Sequence, residues 1–231
     1  MKTALAIFVK TPGHSSVKTR LAATTGREFA EEFYSLSVEA IEELGNAAFR
    51  SIPGLVPHWA VAESEAVADP RWSGFAVVDQ GSGDLGTRLD RVHQALIGKF
   101  DRVLLIGADS PQLTVGHLRA SIEALEKGAD FCIGPAKDGG YHLFASRKTI
   151  PPDVWMRVPY SCARTASEFV RLLAPIGEVA TGEVLGDVDE EADLESLRLD
   201  LGQLDRPTPA QSRIFDFLGK ARSFRANPAG T

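Results

Sequence analysis

Cysteine is nearly absent: Cys132 and Cys162 are the only two in 231 residues. They form no CxxC pair and no zinc-ligand spacing. That excludes a disulfide framework and a structural zinc site, and it fits free thiols in a reducing compartment. Long apolar runs are missing too. None approaches the roughly 18–20 residues that a membrane span requires. The N-terminal stretch MKTALAIFVKTPG has only six apolar residues between its lysines, too few for a signal-peptide core. These absences predict a cytoplasmic protein with no membrane partner. No lysine- and arginine-rich face offsets the net charge of −6, which argues against a nucleic-acid partner. No internal repeat, low-complexity segment or linker divides the chain.

What is present is an ordinary globular composition, 44% hydrophobic and 24% charged, long enough for one α/β domain with a sizeable core. ALAIFV (4–9) and DRVLLIGADSP (101–111) contain continuous apolar runs, as expected of strands buried on both faces of a parallel sheet. HWAVA (58–62) and GFAVVDQ (74–80) also read as strands. Helical spacing marks residues 27–45, with Gly45 as a stop signal, and residues 85–100. A helix follows Thr114 as its N-cap. Two short strands flank the Gly-rich turn of ADFCIGPAKDGGYHLFA, and further helices cover 161–177 and 187–202. Pro207 restarts the chain into a last helix, and the end, RANPAGT, reads as frayed. Strands alternating with helices predict a single-domain, three-layer αβα fold with a mostly parallel sheet over residues 1–205, and a C-terminal helix and tail over 206–231. In such sheets ligands bind beyond the carboxyl ends of the strands, so the loops after residues 9, 80, 107 and 135 are expected to share one cleft.

Five stretches carry candidate chemistry. KTPGHSSVKTRL (10–21) approaches a P-loop, since Gly13 is followed by four residues and then Lys18-Thr19, but the second glycine of that pattern is missing. Lys10, Lys18 and Arg20, with Ser15 and Thr19, still suit an anion beside a helix start; the alternative is a solvated basic turn. In QGSGDLGTRL (80–89), Gly83 permits close approach of a ligand and the Gln80 amide suits a base edge; the plain alternatives are a common Gly-Ser-Gly turn and an i,i+4 ion pair between Asp84 and Arg88. LLIGADSPQLT (104–114) delivers Asp109 to the ligand edge of the sheet. There it either holds a hard cation such as Mg²⁺ or forms an Asx turn before Pro111. GPAKDGGYHLF (134–144) offers Asp138, the Gly139-Gly140 pair and Tyr141. LGDVDEEADL (185–194) offers Asp187 and Asp189, either as helix caps or as further metal ligands.

In this order the five stretches resemble the motifs of the DUF2064 group of glycosyltransferase-A-fold proteins, a group related to the guanylyltransferases that activate phospholactate or phosphoenolpyruvate for coenzyme F420. The likeness runs from about residue 3 to 197. It implies a nucleotide-diphospho-sugar transferase (GT-A) fold. It further implies that Lys10, Ser15, Lys18, Thr19 and Arg20 cradle nucleotide phosphates, and that Gln80, Gly83 and Asp84 lie near the base. Asp109 with Asp187 or Asp189 would hold Mg²⁺ or Mn²⁺, and Asp138, Gly139, Gly140, Tyr141 and Ser161 would face an acceptor. The chain departs from the group at Ser15, where a glycine is usual, and at Tyr160-Ser161-Cys162, where a tryptophan-(Gly/Ser)-Thr triplet is usual. The expected function is a Mg²⁺-dependent nucleotidyltransferase that joins a nucleoside monophosphate to a small phosphorylated or carboxylate acceptor and releases pyrophosphate. A glycosyltransferase using a nucleotide sugar and a non-catalytic nucleotide-binding regulator are the alternatives.

Overall fold

The computed structural model describes residues 1–226, with side chains to residue 220. Strands β1 (Thr3–Val9), β2 (Leu55–Val61), β3 (Ala76–Asp79), β4 (Arg102–Gly107), β5 (Phe131–Pro135), β6 (Tyr141–Ser146) and β7 (Val179–Thr181) form one sheet in the order β3-β2-β1-β4-β6-β5-β7. All neighbours pair in parallel except β6, which runs antiparallel to both β4 and β5. The helices are α1 (Thr19–Thr25), α2 (Arg27–Ser51), α3 (Leu85–Ile97), α4 (Val115–Glu126), α5 (Pro152–Met156), α6 (Thr165–Leu173), α7 (Asp193–Gly202) and α8 (Pro209–Ala226). The chain is the expected three-layer αβα domain.

The continuous apolar strands are explained by their two buried faces. Leu5 and Ile7 of β1 turn toward α2 and α4, where they meet Ile41, Leu44, Leu118 and Ile122. Ala4 and Ala6 alternate to the other face, which α3, α5 and α6 cover with Val92, Trp155 and Phe169. Trp155 is fully buried and packs its indole against the rings of His93, Phe144 and Phe169. A third cluster, including Leu21, Phe33, Val188, Leu197 and Ile214, joins α1, α2, α7 and α8 at one side of the domain. The boundary set at residue 205 falls in the turn between α7 and α8. Helix α8 packs along α2, where Arg213 pairs with Glu39 and the Ala210 N–H donates to Glu43.

Several local expectations are corrected. Gly45 does not stop α2, which runs on to Ser51; the glycine is there for proximity, because a Cβ would stand 2.9 Å from the Phe75 ring. The helix expected over 187–202 starts only at Asp193, whose carboxylate accepts from the Asp189 and Glu190 N–H groups. Residues 187 and 188 lie outside any helix or strand, downstream of Leu185, which pairs with the chain after β5, and of Gly186, whose carbonyl accepts from Gln112 Nε2. Strand β7 and helix α5 were not expected. The last helix begins at Pro209, at its first position, where a missing N–H costs nothing. Thr114 does cap α4, and the ring of His117 accepts in return from the Thr114 N–H. Of the expected frayed end, residues 227–231 lie outside the described residues. Among the described residues no helix is long and apolar enough to cross a membrane.

His93 gives the fold a pH dependence. It is wholly buried beside Trp155 with Nε2 against Ser146 Oγ at 2.7 Å, and burial lowers its pKa to about 4. The folded pKa lies below the unfolded one, so the unfolded chain binds the proton more tightly. Stability from this group is present above about pH 6.5 and is lost as pH falls toward 4, by roughly 3 kcal/mol in all. Denaturant midpoints measured from pH 7 to 4 are expected to fall, and His93→Gln to flatten that slope. An equal slope in the variant would assign the acid sensitivity elsewhere.

Candidate active site

The ends of β1, β4 and the turn after β3 open on a cleft of about 730 Å³. The loop after β1 forms one side. It is tied down by its backbone: Tyr34 Oη accepts from the Lys10 N–H and donates to the Lys10 carbonyl, Thr11 N–H donates to buried Glu63, and Arg71 donates to the Pro12 carbonyl. Fixing this backbone leaves the Lys10 side chain exposed at the mouth. Lys18 lies in the left-handed region (φ 46°, ψ 45°) just before α1, a strained conformation for a lysine. That turn drives its side chain inward until only 4% is exposed. Its ammonium lies 2.5 Å from Asp109 Oδ1 and donates to the Val188 carbonyl. Arg20 stays near the surface and reaches Asp189 at 3.1 Å.

Of the residues expected here, Lys10, Lys18, Thr19, Arg20, Gln80, Gly83, Asp109, Asp138, Gly140, Tyr141, Ser161 and Asp189 line the cleft. Ser15, Asp84, Gly139 and Asp187 do not. Ser15 bridges back to Pro12, and its N–H donates to the Thr11 carbonyl within the loop. Asp84 caps α3, its Oδ1 accepting from the Thr87 N–H and hydroxyl. Among the described residues the alternative Asp84–Arg88 ion pair is not formed, and Arg88 Nε donates to the Gly83 carbonyl instead. Gly139 (φ 89°) sits where a Cβ would be 2.1 Å from the Ala163 carbonyl, so it locks the 136–140 turn against the segment before α6. Gln80 faces the cleft, but it is buried and its amide nitrogen donates to the carbonyls of Ala60 and Val9. Its N–H edge is committed to joining β2 and β1 rather than to a base.

Asp187 lines a smaller cavity of about 310 Å³ that shares Arg20, Asp138 and Asp189 with the cleft. Burial, and then the carboxylates of Asp138 and Asp189, raise its pKa to about 6. Negative charge is thus concentrated where the 187–189 segment passes the end of β4. Hard oxygen donors in that number suit a Mg²⁺ or Mn²⁺ that keeps waters and phosphate oxygens in its other positions. Among the described residues, no three His, Cys, Asp or Glu groups converge closely enough to cage an ion by themselves.

Sequence reasoning missed the wall made by α3 and the segment before α6. Leu85, Arg88, Tyr160, Cys162 and Thr165 line it. Tyr160 Oη donates to the Trp155 carbonyl, and the Thr165 hydroxyl donates to the Pro159 carbonyl, while Ser161 takes a positive φ of 58°. The departure at Tyr160-Ser161-Cys162 was the available signal.

Residues 55–162, just under half of the chain, match the DUF2064 family, described as uncharacterized proteins conserved in bacteria. Among curated proteins none matches the sequence. Among solved structures, a Desulfovibrio desulfuricans G20 protein provisionally named a nucleotide-diphospho-sugar transferase is 25% identical, with a TM-score of 0.80 and 98% of each chain covered. CMP-2-keto-3-deoxy-manno-octonic acid synthetase, solved with CTP, is 14% identical, with a TM-score of 0.50 over 88% of this chain and 99% of its own. A cytidylyltransferase from Leptospira borgpetersenii is 12% identical, with a TM-score of 0.53 over 96% of both chains. Residues 55–162 are thus similar to the DUF2064 family, and the fold is shared along the chain's length with the Desulfovibrio protein.

Proposed function

We propose that the protein is a Mg²⁺- or Mn²⁺-dependent nucleotidyltransferase. A small acceptor bearing a phosphate or carboxylate attacks the α-phosphorus of a nucleoside triphosphate, an oxygen–phosphorus bond forms, and the α–β bridge breaks to release pyrophosphate. One observation carries this reading: cations and carboxylates alternate at the strand ends, Lys18 on Asp109 and Arg20 on Asp189. A metal–triphosphate is itself an alternation of opposite charges, so each protein charge has a counterpart to exchange for. The likeness of fold to a synthetase solved with CTP and to a cytidylyltransferase supports it.

Asp109 and Asp189 would hold the metal, with Asp187 behind them. The bound ion would neutralise phosphate charge and polarise the α-phosphate. The chain's own work is positioning and charge neutralisation. Lys10, Lys18 and Arg20 receive the phosphate oxygens, Lys as a point charge and Arg as a fork. Gly83 lets the backbone approach the nucleoside, and Asp138, Gly140, Tyr141 and Ser161 form the acceptor end. The setting is cytoplasmic.

Lys18→Ala and Arg20→Ala are expected to weaken triphosphate binding by about 1.5–3 kcal/mol each, with Lys18 toward the upper figure because its buried charge is less screened. Diphosphate binding is expected to suffer less. The identity test is thermal stabilisation by each of the four ribonucleoside triphosphates with Mg²⁺, followed by pyrophosphate release with phosphorylated and carboxylate acceptors. The Desulfovibrio protein's provisional name favours a second reading, glycosyl transfer. That reading replaces the first if no triphosphate binds while a nucleotide sugar binds and is consumed. Saturable binding without turnover of either would leave a regulator.

A further inference from the structure

Among the described residues, four cations line the cleft: Lys10, Lys18, Arg20 and Arg88. Lys18 and Arg20 are held by Asp109 and Asp189. Lys10 belongs to the phosphate loop. Arg88 is different in kind. On a helix the ordinary partner of an arginine is a carboxylate four residues earlier. Asp84 occupies that position, but both its bonds go to the Thr87 N–H and hydroxyl. Arg88 is half-buried, and its Nε is fixed at 3.0 Å to the Gly83 carbonyl, which orients the guanidinium. Among the described residues, its Nη1 and Nη2 groups have no protein partner. An oriented guanidinium with one edge unused is preorganised for a planar oxyanion.

Its surroundings indicate which oxyanion. Arg88 projects from the first turns of α3, on the wall that also carries Tyr160 and Ser161. Gly86 brings this turn against that wall, since a Cβ there would lie 2.8 Å from the Trp155 carbonyl and 3.1 Å from the Tyr160 ring. Asp109, Asp138 and Asp189 also line the cleft and repel an anion, so an anionic acceptor needs a cation to face it, and Arg88 supplies one on this wall. Leu85 lines the cleft three residues before Arg88 and is 45% exposed, an unusual position for a leucine in a polar site. Residues three apart share a helix face, so the guanidinium and the isobutyl group meet the same ligand.

We propose that Arg88 is the anchor for the second substrate: its free edge receives a carboxylate or phosphate of the acceptor, and Leu85 covers an apolar part of the same molecule. This rests on the transferase reading above. It makes the acceptor a small, singly anchored organic acid or phosphate ester.

The test uses the full-length protein, Arg88→Gln and Arg88→Lys, with thermal unfolding as the check on folding. Each is first titrated with Mg²⁺ and the stabilising nucleoside triphosphate. Lactate, as a carboxylate probe, and inorganic phosphate are then titrated calorimetrically into the nucleotide-saturated protein. The expected result is unchanged nucleotide affinity in all three, with probe affinity reduced at least about tenfold in Arg88→Gln and less in Arg88→Lys. The tighter of the two probes in the parent protein names the acceptor's group. Equal probe binding in Arg88→Gln overturns the proposal, as does no probe binding to the parent protein. A variant that loses nucleotide instead of probe moves Arg88 to the nucleotide. If the parent protein binds no triphosphate, the transferase reading fails separately; the probes are then titrated into the free protein, where the same dependence on Arg88 is required.

Discussion

Asp109→Asn is expected to abolish Mg²⁺-dependent nucleotide binding while the domain stays folded. Asparagine keeps the size of the side chain and can still make the turn before Pro111, so the loop after β4 loses a charge and little else. The charge matters in two directions. It is the carboxylate that the end of β4 delivers to the cleft, 53% exposed and so open to a ligand on its outer side. It also balances Lys18, whose ammonium would then face a neutral amide oxygen beside the Val188 carbonyl. Leaving a mostly buried cation without its counter-charge costs roughly 1–3 kcal/mol, which a domain of this size survives. Nucleotide titrations with Mg²⁺ and with chelator, beside thermal unfolding of both proteins, separate these effects. A variant that keeps full Mg²⁺-dependent binding would reduce Asp109 to a turn-former.

The largest expected loss of stability comes from Trp155→Ala. The indole is wholly buried and touches His93, Phe144 and Phe169, joining α3, β6 and α6 through one side chain. Truncating a buried aromatic costs about 3–5 kcal/mol, partly as lost transfer energy and partly as the cavity left behind. Trp155→Phe is expected to cost less, since it refills most of the space and removes an indole N–H that has no partner. Because the Trp155 carbonyl also accepts from Tyr160, a shift of α5 moves the wall of the cleft. Denaturant unfolding gives the ledger. Near-equal midpoints for the alanine variant and the parent would show that α5 is dispensable to the core.

The sequence makes the central strands and long helices legible because each obeys one period over enough residues. ALAIFV and RVLLIG are apolar on both faces, and residues 85–97 place Leu89, Val92 and Leu96 on one stripe. Strand β7 is only three residues long at the sheet edge, and α5 is five residues long, so neither holds a period. Gly45 was misread because a stop signal and a close packing contact use the same residue. In the site, the positions of Lys18, Arg20, Asp109 and Asp189 at one cleft follow from the rule that strand ends converge. Their pairing does not: Arg20 and Asp189 are 169 residues apart. Nor does any local pattern say that Gln80 spends its amide on two carbonyls, or that Asp84 caps and leaves Arg88 free.

The peptide of Val188 has a consequence for how the domain breathes. Its N–H donates to the Asp109 carbonyl, its carbonyl accepts from Lys18, and its side chain lies in the cluster that α7 and α8 cover. A ligand that draws Lys18 toward its own phosphates takes a bond from this peptide. Filling the cleft and loosening the C-terminal helices are then linked, two readings of one equilibrium. Amide hydrogen exchange along α7 and α8 would change with nucleotide, although among the described residues neither helix lines the cleft, so these helices serve as a gauge of what the first loop holds.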